Sequence, residues 1–331
     1  MGMKIRIGTA LMIVWIGSAV NSRGQEAQPP TLVGKIEMPQ VKGRIDHFSA
    51  DLQGRVLYLS ALGNHTVEVL DAQNQRLLRT IPGIDEPQGV LYVPSSRRLF
   101  VASGGDGAVR VYDATSFQLT ATVRYSSDAD NIRYDARRGQ VVVGYGSGAL
   151  GILTNEGKRV GDILLDGHPE SFQIEASGNR AFVNVPDSRE IEVVDLDRRS
   201  VAARWPVTAA RANFPMALDE AHHRLLVGCR SPARLLVLDT DSGKLVAQVE
   251  IAGDTDDLFY DAARGRAYVI AGEGFVDVIR QRDPGHYEHA ARIPTAPGAR
   301  TGYFAPDWNQ LFVAAPRRGD RPAQVLVFQL R

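Results

Sequence analysis

One pattern returns seven times along the 331 residues, and nothing else in the chain constrains its fold as tightly. Asp51 serves as the index position of the first unit. The equivalent positions are Val93, Asp135, Glu175, Asp219, Asp261 and Ala305, at spacings of 42, 42, 40, 44, 42 and 44. Six to seven residues beyond each index an apolar pair opens a strand: Leu57-Tyr58, Leu99-Phe100, Val141-Val142, Ala181-Phe182, Leu225-Leu226, Ala267-Tyr268 and Leu311-Phe312. A second alternating run then closes on an acid in most units, at Asp71, Asp113, Asp195 and Asp239. A small sheet with two apolar faces can cover them only with its neighbours, and a period near 42 residues with short strands predicts a β-propeller. The fold class expected is all-β, a seven-bladed β-propeller of four-stranded antiparallel blades.

The two ends of the chain complete the count. The seventh unit runs out at Gln324-Val325-Leu326-Val327-Phe328 with three strands, whereas Thr31 to Met38 resembles the outer strands at 76–81 and 244–251. The N-terminal strand is therefore expected to close the last blade and cover an otherwise bare sheet edge. Residues 31–331 are read as a single propeller domain, preceded by a lead-in over 23–30. Before it, Lys4 and Arg6 precede the apolar run Ile7 to Val20, and small residues follow. That order is the pattern of an export signal over 1–22, cleaved between 19 and 27, and it places the mature protein in the periplasm or outside the cell with no membrane span left.

Composition removes several functions. The 38 basic and 38 acidic residues cancel, and loss of Lys4, Arg6, Arg23 and Glu26 leaves the mature chain about two charges negative, so the basic footprint of a nucleic-acid binder is missing. The single cysteine, Cys229, allows no internal disulfide and no Cys-x-x-Cys-His haem attachment, and is read as a small buried residue. Gly146 to Gly151 matches a dinucleotide fingerprint but lies between strands with no helix to receive a pyrophosphate, so no nucleotide is expected. The index acids and the acids that close the third strands are read as turn caps. His222, His223, His286 and His289 are placed on solvated surface.

Runs such as Tyr58-Leu59-Ser60 and Asn64-His65-Thr66-Val67-Glu68-Val69-Leu70-Asp71 resemble the YVTN-type repeat of YncE-like propellers, over essentially all of the mature chain. The group is related in fold to the seven-bladed lactonases. Two units depart: Ala149 to Thr154 lacks the closing acid, and a longer loop spans Pro316 to Pro322. The resemblance implies that the first strand of each blade lines a central channel, which puts the residues just before each index around its mouth. Five before the index stand Asp46, Gln88, Asp130, Glu170, Phe214, Asp256 and Arg300; four before it stand His47, Gly89, Asn131, Ser171, Pro215, Asp257 and Thr301. Arg44, Asp128, His168, Asn213 and Asp254 lie further out, and the hairpins of the same face add Arg230.

The units share turns and strands yet differ at this mouth, as one asymmetric ligand touching several blades would require. Candidate ligand-binding residues are therefore Arg44, Asp46, His47, Gln88, Asp130, Asn131, Glu170, Asn213, Asp256, Asp257 and Arg300. Asp46, Asp130, Glu170 and Asp256 together repel one another unless a cation, an arginine or a proton intervenes. An oxygen collar suits calcium or magnesium, and His47 and His168 extend the choice to zinc. Two readings of function follow: an exported, monomeric binding or scaffold propeller that holds a small molecule or a protein at the mouth, or a metal-dependent hydrolase or lyase of lactonase type in which His47 or His168 moves the proton.

Overall fold

Seven four-stranded antiparallel sheets, each the product of one sequence unit, follow one another around a ring. The computed structural model describes residues 1–2 and 28–331; the export segment falls outside the described residues. The first blade shows how a unit is built, with strands Phe48–Asp51, Val56–Ala61, Thr66–Asp71 and Arg76–Pro82 hydrogen-bonded in chain order. Leu57, Leu59, Val67 and Val69 are buried along the two middle strands, and the fourth strand is mostly exposed at the rim, with Ile81 its one buried residue. Among the described residues the only helices are three 3-10 turns, at Leu62–Asn64, Glu220–His222 and Pro306–Trp308. No described helix is long and apolar enough to cross a membrane.

Closure occurs where the chain ends suggest. Thr31–Met38 pairs antiparallel with Ala323–Gln329 and becomes the outer strand of the seventh blade, with one register shift between Leu32 and Gly34. Ile36 and Met38 on that strand are fully buried in one apolar cluster with Leu57 and Leu59 of the first blade and Phe312, Val325 and Val327 of the seventh. The seam is also bridged by Trp308 Nε1, which donates to the Leu52 carbonyl at 3.2 Å. Backbone pairing thus joins the termini within one sheet, and apolar packing joins that sheet to the next.

The recurring acids cap turns. Oδ1 of Asp71 accepts from the backbone N–H groups of Gln73 and Asn74 at 3.1 and 2.9 Å, and Asp239 accepts from Asp241 and Ser242 at 3.2 and 2.9 Å. Asp113 and Asp195 do the same in their blades. In the third blade, which lacks the acid, Thr154 Oγ1 accepts instead from Glu156 and Lys158. An Asp placed here satisfies two turn donors and fixes the hairpin, which is why the residue recurs at structural rather than catalytic positions.

Gly146 and Gly148 both take positive φ in the tight turn between Gln140–Tyr145 and Ala149–Thr154, with no helix after them. Cys229 is fully buried, and burial pushes its thiol up to about 12. His289 stands exposed on the outer hairpin, as expected, and its Nε2 meets Oδ1 of the fully buried Asp277 at 2.8 Å beside Arg292. A buried carboxylate needs compensation, so His289 and Arg292 hold the sixth blade together.

Removing Thr31–Met38 is expected to lower the melting temperature sharply and to cause aggregation, whereas Leu57→Ala, which empties one core position, is expected to cost about 2–4 kcal/mol in chemical denaturation. A truncated protein that melts with the parent would contradict this closure.

Candidate functional site at the channel mouth

In a regular strand neighbouring side chains point to opposite faces, so consecutive residues cannot both face one cavity. The mouth lining keeps to that alternation, with Asp128 and Asp130, and His168 and Glu170, each two apart, and irregular strand starts set which residue of a blade reaches it. The first strand of the second, third, fifth and sixth blades shifts register at its start, within Pro87/Val90, Ala129/Ile132, Asn213/Met216 and Thr255/Asp257. In the first blade Ser60 faces both Asp46 and His47, taking a backbone bond from one and giving one to the other, and in the fourth Asn184 does so with Glu170 and Ser171. Such bulges re-aim side chains at a strand end. Gly89 serves the same crowding, because a Cβ there would lie 2.2 Å from the Asp130 carbonyl oxygen of the adjacent blade.

Eight of the sequence-derived residues share the lining of one mouth cavity of about 180 Å³: Arg44, His47, Gln88, Asp130, His168, Glu170, Asp256 and Arg300. Asp128, Phe214 and Arg230 complete it. Arg230 was read only as a neighbouring hairpin residue, yet its guanidinium stands 3.8 Å from the centre of the Phe214 ring and donates to Asp256 Oδ1 at 2.6 Å. Its position at the end of a second strand, on the mouth side, was the available signal.

The other candidates are placed elsewhere. Asp46 is 1% exposed, behind the cavity wall, where Oδ2 accepts from Arg44 at 2.7 Å. Asn131 is buried without lining the cavity. Asp257 faces the channel below, accepting the Gly302 N–H at 2.8 Å and standing 3.3 Å from His47 Nδ1. Asn213 is withdrawn from the mouth altogether: fully buried, it donates to Asn184 Oδ1 and the Glu190 carbonyl and ties two blades together.

Arginines and protons offset the self-repulsion of the acids. Arg44 stands between Asp46 and Asp256, and Arg300 holds Asp254 at 3.0 Å. Burial works against the charged form of His47, but the Asp257 and Asp46 carboxylates on either side outweigh it and raise its pKa to about 10. Burial, with the nearby Asp130 and Asp256, pushes Glu170 up to about 8, and burial beside Asp46 brings Asp256 to about 6. Two carboxylates of the lining each keep a buried oxygen with no hydrogen-bond partner in the protein, Asp130 Oδ1 and Asp256 Oδ2. Unsatisfied buried acceptors are costly, and their concentration in one place marks a surface prepared for something donating or positively charged.

Within the mouth, ligand atoms of Asp130, His168 and Glu170 all lie within 4.8 Å of one another. His168 Nδ1 lies 2.6 Å from the Gly146 carbonyl oxygen. A carbonyl accepts only, so Nδ1 carries the proton and Nε2 is turned toward Asp128 and Asp130, at 3.8 and 3.9 Å. Contact with Asp130, with the Gly146 carbonyl and with Asp128 outweighs burial and lifts His168 to about 9. A second trio, Asp166, Glu190 and Glu192, lies outside the mouth; there Asp166 is already paired with Arg204, and Glu192 accepts the Asp166 N–H.

No family model matches the sequence, and comparison with curated proteins returns no match. Among solved structures the chain is similar to one from the mitotic checkpoint complex, with a TM-score of 0.76, 14% identity and coverage of 99% of both chains. It is similar also to a chain of Kuenenia stuttgartiensis hydrazine synthase, with a TM-score of 0.74, 16% identity, and coverage of 89% of this chain and 99% of that one. The fold is a seven-bladed β-propeller. At such identities the likeness carries the architecture and leaves function to the site.

A histidine with a raised folded pKa stabilises most where it is charged in the native state. The contribution of His47 is whole below its ordinary value of 6.5 and is lost as pH rises through about 10. Melting temperature is therefore expected to fall between neutral pH and pH 10, and His47→Gln is expected to flatten that fall. A parallel decline in the variant would remove His47 as its source.

Proposed function

We propose that this is an exported, YncE-like binding propeller that acts as a monomer and holds a divalent cation at the mouth of its channel, between Asp130, His168 and Glu170. The convergence of these three ligand atoms carries the reading. Two further features support it: Asp130 Oδ1 is buried with no partner, and the Gly146 carbonyl orients the His168 ring. A carbonyl behind a ligating histidine is the usual outer partner that fixes ring and tautomer. One nitrogen and two carboxylates match zinc or manganese better than calcium, which prefers oxygen alone.

Three ligands from the third and fourth blades leave the opposite side of the cavity free for a bound molecule. Arg44, Arg230 and Arg300 line that cavity and present cationic groups to an anionic ligand of the metal. The hydrolase alternative uses the same geometry, with the cation polarising a carbonyl. Its proposed proton carriers have other duties: His47 is held between two carboxylates, and His168 is a ligand. Binding is therefore the better supported reading.

Calorimetric titration of the metal-free protein with zinc and with manganese tests this. One site per chain is expected, with affinity rising from pH 6 to 8 as protons leave the ligands, and Asp130→Asn and His168→Gln are expected to weaken it at least about tenfold. Asp166→Asn, in the outer trio, should leave it unchanged. No saturable binding, or equal loss in all three variants, would overturn the proposal; turnover of lactones by the loaded protein would replace binding with catalysis.

A further inference from the structure

Below the mouth lies a second and larger cavity, of about 380 Å³, along the axis of the ring. His47 is the one residue that lines both cavities, and with Asp257 it stands at the boundary between them. The chemistry changes across that boundary. The mouth is walled by charge; the channel is walled by residues such as Leu91, Tyr92, Met216, Phe259, Tyr303 and Phe304.

Beyond His47 at the boundary, the channel wall holds one further cation, Arg133. Two before the index the units read Ser49, Leu91, Arg133, Gln173, Ala217, Phe259 and Tyr303, six uncharged residues and one arginine. Arg133 lines the channel, and of its five N–H groups one donates to the Ile132 carbonyl at 2.9 Å while another reaches Ser171 Oγ only at 3.5 Å. Its guanidinium carbon is 5.7 Å from the centre of the Phe172 ring. Arg44, Arg230 and Arg300 each face a carboxylate within 4.0 Å, whereas Arg133 forms no ion pair among the described residues. The acid on the same wall, Asp257, is committed to the Gly302 N–H and to His47. The other polar lining groups are also engaged: Ser49 Oγ accepts the Tyr92 N–H, and Gln173 donates to the Met216 carbonyl.

A guanidinium withdrawn from bulk water, with donors left over, is costly unless an anion completes it. Its planar fork fits a carboxylate through two parallel bonds. We infer that the central channel is a binding site for an amphipathic monocarboxylate, with the acid group on Arg133 and an aromatic or aliphatic tail among Leu91, Phe259 and Tyr303. The chamber is concave, with apolar and aromatic side chains set beside a few polar anchors, as such a ligand with one charged end requires, and its volume admits a phenylalkanoate. This site is separate from the mouth and does not rest on metal binding there.

Phenylbutyrate and its uncharged amide provide the probe, titrated calorimetrically into the full mature chain at neutral pH. The acid is expected to bind once per chain and the amide about tenfold more weakly or not at all, a comparison that needs no variant. Arg133→Gln should abolish the preference for the acid, Arg133→Lys should keep part of it, and Asp166→Asn, outside both cavities, should leave it intact. Equal affinity for acid and amide, no binding of either, or a loss in Asp166→Asn as large as that in Arg133→Gln would overturn the inference.

Discussion

The pairing of Thr31–Met38 with the C-terminal strand is the contact on which the rest of the molecule depends. Each blade buries both faces against neighbours, so a ring with a gap would leave two sheet faces and one edge uncovered. The N-terminal strand removes the edge by hydrogen bonding and the gap by burying Ile36 and Met38 between the last and first blades. Because the ring is closed, seven first strands stand at fixed positions around one axis. Side chains far apart in sequence, such as Asp46 and Asp256, can then share an arginine.

Within that frame the repeat governs packing, and its interruptions govern chemistry. The capped turns at Asp71, Asp113, Asp195 and Asp239 hold hairpins of one shape. The bulges at the mouth ends of the first strands set which side chain of each blade turns toward the opening and which turns into the wall. What those side chains bring is a nearly compensated set of charges. Arg44, Arg230 and Arg300 neutralise part of it, and protons on His47, His168 and Glu170 neutralise more. A site balanced by protons responds to a cation by releasing them, which couples any metal at the mouth to pH.

Much of this was legible in the sequence because packing leaves periodic marks. The apolar pairs after each index gave blade number and register, and the three-strand seventh unit gave the closure. The mouth followed from the register of the repeat together with the channel that the resemblance implies, which is why all eleven of its lining residues stand among those placed around it by the sequence. Side-chain direction could not be read so easily. Asn213 lies at the right height but turns inward to bind Asn184 and Glu190, since a bulge sends one of its residues toward the axis and the other into the wall. Asp46 and Asp256 looked like metal ligands by type, yet Arg44 and Arg230 bind them, and pairing distances have no signature in spacing. Arg133 stands two before its index, in a row otherwise without charge, so its place in the channel wall below the mouth has a signature in the spacing.

The central functional claim is that one cation sits among Asp130, His168 and Glu170, and diffraction locates it most directly. Crystals of the mature protein grown with zinc, measured on either side of the zinc absorption edge, are predicted to show one anomalous peak per chain within ligand distance of those three side chains. No peak there, or a peak only at Asp166, Glu190 and Glu192, would contradict the account and leave the mouth a charged funnel without a metal.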